Sequence, residues 1–232
     1  MDIIKVLQEE LSVGRGQVEA AVRLIDEGNT IPFIARYRKE ATGSLSDEVL
    51  RNLDERLKYL RNLEERKEQV LSSIREQEKL TPQLEKAIGE AAALVEVEDL
   101  YRPYKPKRRT RAIIAKEKGL EPLADIISLQ MVNHPLEEEA EPYVSEEKGV
   151  SSVQEAIDGA RDILAERIAD QAEYRAHIRE LTMKQGSIQS QAKDGESSSV
   201  YEMYYQYEEP VKKVLGHRIL AINRGEKEKF LT

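Results

Sequence analysis

Apolar residues recur every three to four positions along most of this chain, which is the spacing of helices that pack on one face. The N-terminal residues carry the pattern in three short stretches, separated by a break at residues 12–16 and by Gly28. Three short helices with a glycine-containing turn give the outline of a helix-turn-helix, which other small helical bundles share. We therefore predict a helix-turn-helix-like bundle over residues 1–44.

A long helix is predicted next, from Ser46 to about Lys79. Its leucines and isoleucines keep heptad spacing, except where Glu64 and Lys67 occupy the apolar seam. A two-stranded coiled coil needs several uninterrupted heptads, so the interruption favours packing against other helices of the same chain.

A second long helix is predicted over residues 152–185. Ser152 and Glu155 form a capping box at its start, and Gly186 suits its end. Its predicted buried stripe comprises Ile157, Ala160, Leu164, Ile168, Ile178 and Leu181. Two long helices joined by shorter ones indicate an all-α fold, an elongated helical scaffold, over residues 45–192.

The last part of the chain differs in composition. Residues 193–199 form a polar break, and four of the ten tyrosines follow within residues 200–210. Because acidic residues surround these tyrosines, we interpret them as packing aromatics in preference to a base-stacking platform. The chain then ends in a strand-like segment without an evident partner. We therefore expect residues 193–232 to form a hinge and the truncated start of a further domain.

Residues 101–118, YRPYKPKRRTRAIIAKEK, carry eight Lys and Arg against one Glu, in a chain of formal net charge −8. Pro103 and Pro106 disfavour a regular helix in the first half of this segment, so we predict an exposed basic loop. Phosphate backbones are the commonest partners of such loops, and their binding weakens steeply with salt. Alternatively, the cations solvate the loop or pair with the chain's own carboxylates.

An acidic segment, residues 134–147, holds six Glu and no Lys or Arg. It is either an intramolecular counterpart of the basic loop or a solvated connector, and we favour the connector.

Composition narrows the class of protein. Charged residues make up 34% of the chain and aromatic residues 5%, with no Cys and no Trp. These values are typical of a soluble, helix-rich protein. No apolar run is long enough to span a bilayer, and the N-terminus has no secretion segment. We therefore expect a cytoplasmic protein without membrane association.

The sequence offers no recognisable catalytic motif. The three histidines lie far apart, and the chain has neither a glycine-rich phosphate loop nor a serine nucleophile elbow. Its carboxylate pairs fall in polar helix faces or connectors, where solvent keeps them ionised. We expect no enzymatic activity, no cofactor and no metal.

Three long segments combine unusual motifs: TIPFIARYRKEATGSLSDE (30–48), EDLYRPYKPKRRTRAIIAKEKGLEPLA (98–124) and HRILAINRGEKE (217–228). In their order and approximate spacing they resemble the N-terminal region of the Tex family of bacterial transcription accessory proteins. The resemblance covers essentially the whole chain. It implies a cytoplasmic, nucleic-acid-associated protein related to a eukaryotic transcription elongation factor that also handles histones.

The family resemblance also implies a domain order. In the family, a helical region with a helix-turn-helix-like element and a long scaffold helix precedes a ribonuclease-H-like fold. Helix-hairpin-helix elements and a C-terminal OB-fold that binds RNA follow, and the principal nucleic-acid contacts are attributed to that OB-fold. The resemblance implies that these later domains are absent here and that residues 217–228 pack as a hinge toward the next domain.

Nine cations in two of these segments are the predicted nucleic-acid contacts: Arg36, Arg38, Lys39, Arg102, Lys105, Lys107, Arg108, Arg109 and Arg111. The planar fork of an arginine also suits helix C-termini and carboxylates, so a structural role is open for each arginine. We predict a non-catalytic scaffold that binds RNA or DNA without sequence preference through the basic loop. The alternative is a protein-interaction module that docks onto the transcription or translation machinery.

Overall fold

The fold is known from a computed structural model of the 232-residue chain, which describes residues 1–131, 133–194 and 198–232. The described residues form twelve α-helices, three short 3-10 helices and one two-stranded sheet. The predicted all-α class is therefore confirmed. The chain folds into two compact units, residues 1–106 and 107–232.

Six helices form the first unit: α1 (Ile3–Leu11), α2 (Arg15–Asp26), α3 (Ile31–Tyr37), α4 (Asp47–Glu76), α5 (Pro82–Glu90) and α6 (Leu94–Tyr101). The long helix α4 begins where the sequence predicts, because the Ser46 side chain accepts a hydrogen bond from the backbone N–H of Val49 at 3.2 Å. Asp47 and Glu48 lie in its first turn, where the helix dipole favours negative charge.

Helix α4 supplies one side of two successive cores. The first core joins α4 to the three N-terminal helices, and its buried members are Leu7, Val18, Ala21, Leu24, Ile34, Leu45, Leu50, Leu53, Leu57 and Leu60. The second joins α4 to α5 and α6 through Leu63, Val70, Ile74, Ile88, Ala91, Val97 and Tyr101. Within the stretch of α4 that forms the second core, Lys67 is only 4% exposed. Its ammonium donates to the Gly89 carbonyl at 2.9 Å and lies 2.8 Å from the Glu64 carboxylate, so the polar residues of the seam bind within the chain.

The second unit contains α7 (Arg111–Glu117), α8 (Glu121–Leu129), α9 (Leu136–Ala140), α10 (Val153–Ala169), α11 (Ala172–Gln185), β1 (Ser187–Gln191), β2 (Gln206–Pro210) and α12 (Gly216–Lys227). Its main core joins α10 to α7, α8 and α9. Gly159 of α10 faces Leu120 and Ala115 so closely that no side chain fits between them.

The prediction of one helix over residues 152–185 is wrong, because α10 ends at Ala169 and α11 begins at Ala172. Asp170 is buried at the break and forms an ion pair with Lys107. The predicted stripe is buried at Ile157 and Ala160. Farther along it is exposed, at 58% for Ile168, 60% for Ile178 and 44% for Leu181. Periodicity gave no sign of the break, since apolar residues keep recurring on both sides of it.

The C-terminal segment has a partner, which corrects the expectation of an unpaired strand. Strands β1 and β2 pair antiparallel, and the last residues add to the β1 side of the sheet. The backbone N–H groups of Gln191 and Thr232 each donate to the other residue's carbonyl at 2.9 Å. Tyr201 and Tyr204 are buried beside this sheet, as expected of packing aromatics. Residues 195–197 of the predicted polar break lie outside the described residues, and the predicted division into three domains stays a prediction.

The close approach of α10 to α7 and α8 yields a stability prediction. A Cβ at Gly159 would lie 2.4 Å from Leu120 Cδ1 and 3.3 Å from Ala115 Cβ. Both neighbours are buried, so Gly159→Ala should force the helices apart and lower the free energy of unfolding by about 1–3 kcal/mol. Urea denaturation measures this loss. The control is Gly16→Ala in α2, where a Cβ meets nothing within 4 Å. This change should leave stability equal or slightly higher, and an equal loss in both variants would contradict the packing argument.

Candidate nucleic-acid interface

The predicted basic loop is shorter than the basic segment. Helix α6 ends at Tyr101 and α7 begins at Arg111, so residues 102–110 form the loop and the remaining cations lie on or just after α7. The start of the loop is anchored in the first unit. The Tyr101 hydroxyl lies 3.0 Å from Ser73 Oγ, and the Gln77 amide donates to the Tyr104 carbonyl at 3.0 Å. The two tyrosines of this motif therefore help to anchor the loop in the first unit.

Carboxylates neutralise most of the cations in the basic segment. The pairs are Lys105 with Glu98 at 3.5 Å, Lys107 with Glu166 at 3.4 Å and with Asp170, Arg109 with Glu117 at 3.0 Å, Arg111 with Asp162 at 3.5 Å, Lys116 with Glu121 at 3.4 Å, and Lys118 with Glu155 at 2.5 Å. None of these carboxylates belongs to the acidic segment 134–147. The six paired cations therefore agree with the alternative prediction, in which the basic segment pairs with the chain's own carboxylates.

The pairs differ in how firmly they hold. The Lys107 side chain is 24% exposed and lies between two carboxylates at the end of α10, so it fixes the loop to the second unit. The side chains of Arg109 and Arg111 are 71% and 84% exposed. Ion pairs at such exposure contribute little, about 0–1 kcal/mol, and can exchange for another anion. Arg102 is exposed at the end of α6.

Next to the Ser152 cap of α10, Glu155 binds both Lys118 and Ser151. Its carboxylate accepts hydrogen bonds from the backbone N–H and the hydroxyl of Ser151 at 2.9 and 2.8 Å. The hydrogen bond from Lys118, together with these two from Ser151, lowers the pKa of Glu155 to about 2. Lys118 is thus bound to the first turn of α10.

Four predicted cations lack a carboxylate partner. Within residues 1–131, 133–194 and 198–232, no carboxylate lies within ion-pair distance of Arg36, Arg38, Lys39 or Arg108, and all four are exposed. Arg108 stands alone between paired neighbours. The other three lie within four consecutive residues at the C-terminal end of α3, so the structure concentrates unpaired positive charge there.

Two aromatic rings accompany these three cations. The centres of the Phe33 and Tyr37 rings are 5.3 Å apart, and the Arg38 guanidinium lies 5.2 Å from the centre of the Phe33 ring. Tyr37 is 61% exposed. We call Phe33, Arg36, Tyr37, Arg38 and Lys39 the α3 surface.

The turn after α3 is held in one conformation. The buried Thr42 hydroxyl donates to the carbonyls of Arg38 and Lys39, each at 3.3 Å. The Gln17 amide of α2 donates to the Gly43 carbonyl at 2.9 Å. Gly43 has φ +59°, and a Cβ there would lie 2.7 Å from Gln17 Nε2, so the turn requires glycine. The α3 surface therefore rests on a rigid turn.

Two further features are absent from the described residues. These residues contain no group of three or more His, Asp or Glu side chains that could hold a metal ion. No helix in this part of the chain is both long and apolar enough to cross a membrane.

Comparison with known proteins identifies the family. The family model "Tex-like protein N-terminal domain" matches residues 1–75, and "Tex central region-like" matches residues 132–232. The chain belongs to the Tex family. The two Tex models together match well over half of its residues.

Curated relatives extend over the whole chain. It is 51% identical to protein YdcI of Bacillus subtilis (strain 168) over 97% of the chain and 32% of that protein. It is 45% identical to "Transcriptional accessory protein Tex" of Neisseria gonorrhoeae over 100% of the chain and 30% of that protein. It is also 32% identical to the human "S1 RNA-binding domain-containing protein 1" over 100% of the chain and 24% of that protein. The chain thus spans a third or less of the length of these three relatives.

The hydrogen bonds that Glu155 accepts from Lys118 and Ser151 predict a pH dependence of stability. The pKa of Glu155 in the folded chain, about 2, lies below the ordinary value of 4.5. The carboxylate therefore stabilises the fold above about pH 4.5, and this contribution is lost as pH falls from there toward 2. Glu155→Gln should destabilise the protein at neutral pH, and its difference from wild type should shrink on acidification.

Urea denaturation at a series of pH values measures this difference. Glu147→Gln is the control, because Glu147 is an exposed residue of a short 3-10 helix for which no ion pair is seen within the described residues. A constant difference between wild type and Glu155→Gln across the series would contradict the assigned pKa.

Proposed function

We propose that this region of a Tex-family protein is a non-catalytic helical scaffold that associates with RNA or DNA without reading sequence. The observation that carries the proposal is the cluster of unpaired cations on the α3 surface. The names of two relatives, a transcriptional accessory protein and an S1 RNA-binding domain-containing protein, favour the same class of partner. A cytoplasmic location belongs to the proposal, and recovery of the protein in the membrane fraction would contradict it.

Unpaired cations are better phosphate ligands than paired ones. A cation that binds phosphate releases counterions from the nucleic acid, which drives association at low salt. A cation already held by a carboxylate must first lose that partner, so its net contribution is smaller. Arg36 and Lys39 have no carboxylate partner among the described residues, so they are free to bind phosphate. Lys107 and Lys118 are already held by carboxylates. We therefore assign the main phosphate contact to the α3 surface and a secondary one to Arg108 and Arg109 of the loop.

A second candidate function is docking of a protein partner, for which helix α11 gives specific support. None of its residues is buried, and Tyr174, Ile178 and Leu181 repeat at helical spacing with 54%, 60% and 44% exposure. A component of the transcription or translation machinery could cover this stripe. Partner capture that survives nuclease treatment and is lost with Ile178→Glu would favour docking over nucleic-acid binding.

Salt dependence tests the assignment of the phosphate contact. Two phosphates neutralised by Arg36 and Lys39 of the α3 surface give a slope of log affinity against log salt near −1.8 on duplex DNA. Fluorescence anisotropy with labelled duplex at several salt concentrations measures this slope. The double variant Arg36→Glu, Lys39→Glu should weaken binding and flatten the slope. Arg108→Glu, Arg109→Glu should have the smaller effect.

The control is a double variant with the same change in net charge, Lys86→Glu with Lys184→Glu. Both lysines are exposed and paired along their own helices. This variant should keep the wild-type slope. If the loop variant abolishes binding while the α3 variant does not, the phosphate site lies in the loop. The labelled strands should also remain intact with Mg²⁺ or Mn²⁺, and cleavage would contradict a non-catalytic role.

A further inference from the structure

We propose that the α3 surface binds unpaired nucleotides, with the Tyr37 ring stacked on a base while Arg36 and Lys39 contact phosphates. This inference rests on the proposed function and adds the class of nucleic acid. It makes the surface a single-strand contact within the first unit, independent of the basic loop.

The Tyr37 ring is unlike most tyrosines of this chain. The hydroxyls of Tyr201 and Tyr205 donate to Glu228 at 2.8 Å and to Ser199 at 2.9 Å. Tyr101 and Tyr204 are buried. Tyr37 is 61% exposed, and in the part of the chain that the structure describes its hydroxyl binds no other group. An aromatic ring with this much open area is suited to receive a planar ligand.

Neighbouring residues already hold one side of the Tyr37 ring in place. Phe33 lies one helical turn before Tyr37 and tilts against it at 45°. The Arg38 guanidinium covers Phe33, and its Nη1 donates to the Tyr37 carbonyl at 3.3 Å. The backbone N–H of Arg38 donates to the Ile34 carbonyl at 3.0 Å and fixes the helix end. Tyr37 is therefore held before any ligand arrives, which lowers the entropy lost on binding.

The net charge and the exposed ring of the α3 surface together indicate which class of ligand fits it. Within residues 30–46 three cations face a single carboxylate, Glu40, which makes no ion pair among the described residues. The surface thus combines net positive charge with an open aromatic ring. An acidic peptide satisfies the charge but leaves the ring exposed, and a duplex hides the faces of its bases. A single-stranded nucleic acid satisfies both, because its bases are free to stack and its phosphates lie beside them.

The test compares strands that share a phosphate backbone. Labelled oligouridine, an abasic strand of equal length and a duplex are titrated with the full chain and its variants. Tyr37→Ala should weaken binding of oligouridine roughly tenfold, since one stacked base contributes about 1–3 kcal/mol. Tyr37→Phe should bind like wild type, because it keeps the ring. The abasic strand should bind weakly and equally to all three proteins.

The matched control is Tyr174→Ala, which removes an exposed tyrosine from α11. It should not change binding of oligouridine. Photocrosslinking with a strand that contains 5-iodouridine, followed by mass spectrometry, gives an independent readout. Crosslinks should map to Tyr37, which a purely structural role of this residue would not produce.

The outcomes separate the stacking inference from the proposed function. If Tyr37→Ala binds oligouridine like wild type while Arg36→Glu, Lys39→Glu flattens the salt slope, the surface is a phosphate contact without stacking. If wild type binds no strand at low salt, both the inference and the proposed function are wrong. If polyglutamate competes as well as oligouridine and crosslinks do not reach Tyr37, the surface is a site for acidic protein.

Discussion

Basic side chains of this protein pair with the chain's own carboxylates, and these pairs connect its helices to one another. Charged residues are 34% of the chain, so helices cannot pack without bringing charges together. Three arginines of α4 show the solution: Arg56 binds Glu10, Arg61 binds Asp26 and Arg66 binds Glu98, at 2.6, 2.7 and 2.6 Å. Each pair ties α4 to another helix. Since planar guanidinium groups suit carboxylates, these pairs fix geometry more than they add stability.

The same pairing determines where positive charge remains for a partner. The basic segment has the highest local count of cations, yet Lys107 and Lys118 hold the loop and the first turn of α10, and do so by binding acids of the second unit. The α3 surface has fewer cations, but the described carboxylates do not neutralise them. Local charge density in the sequence is therefore a poor measure of the charge on the surface of the folded protein. A cation that is paired with a carboxylate of the same chain adds little to the net positive charge that a partner meets.

Local signals could be predicted from the sequence, and distant pairings could not. Ser46 and the heptad leucines gave the start and buried face of α4, since caps and periodicity act within a few residues. Asp170 follows the last residue of α10, and its partner Lys107 is 63 residues away, so no local pattern could reveal this pairing. Ion-pair partners that lie far apart in the sequence also explain why the sequence could identify the nine candidate cations but not which of them are paired with carboxylates. The placement of Phe33 and Tyr37 on one side of α3 followed from their spacing, whereas the exposure of Tyr37 did not.

The turn that supports the α3 surface indicates that its geometry matters. Gly43 and Ser44 both have left-handed backbone conformations, with φ +59° and +62°. For Ser44 this conformation costs about 1 kcal/mol, because its Cβ crowds the backbone. The bonds from Thr42 and Gln17 offset the cost and select this one turn. Backbone hydrogen bonds from Thr42 to the Arg38 carbonyl and from Ser44 to the Lys39 carbonyl also hold this turn, so it is not a flexible connection. A strained, well-bonded turn next to an exposed aromatic ring is instead the arrangement that lets a weak ligand bind without first ordering its site.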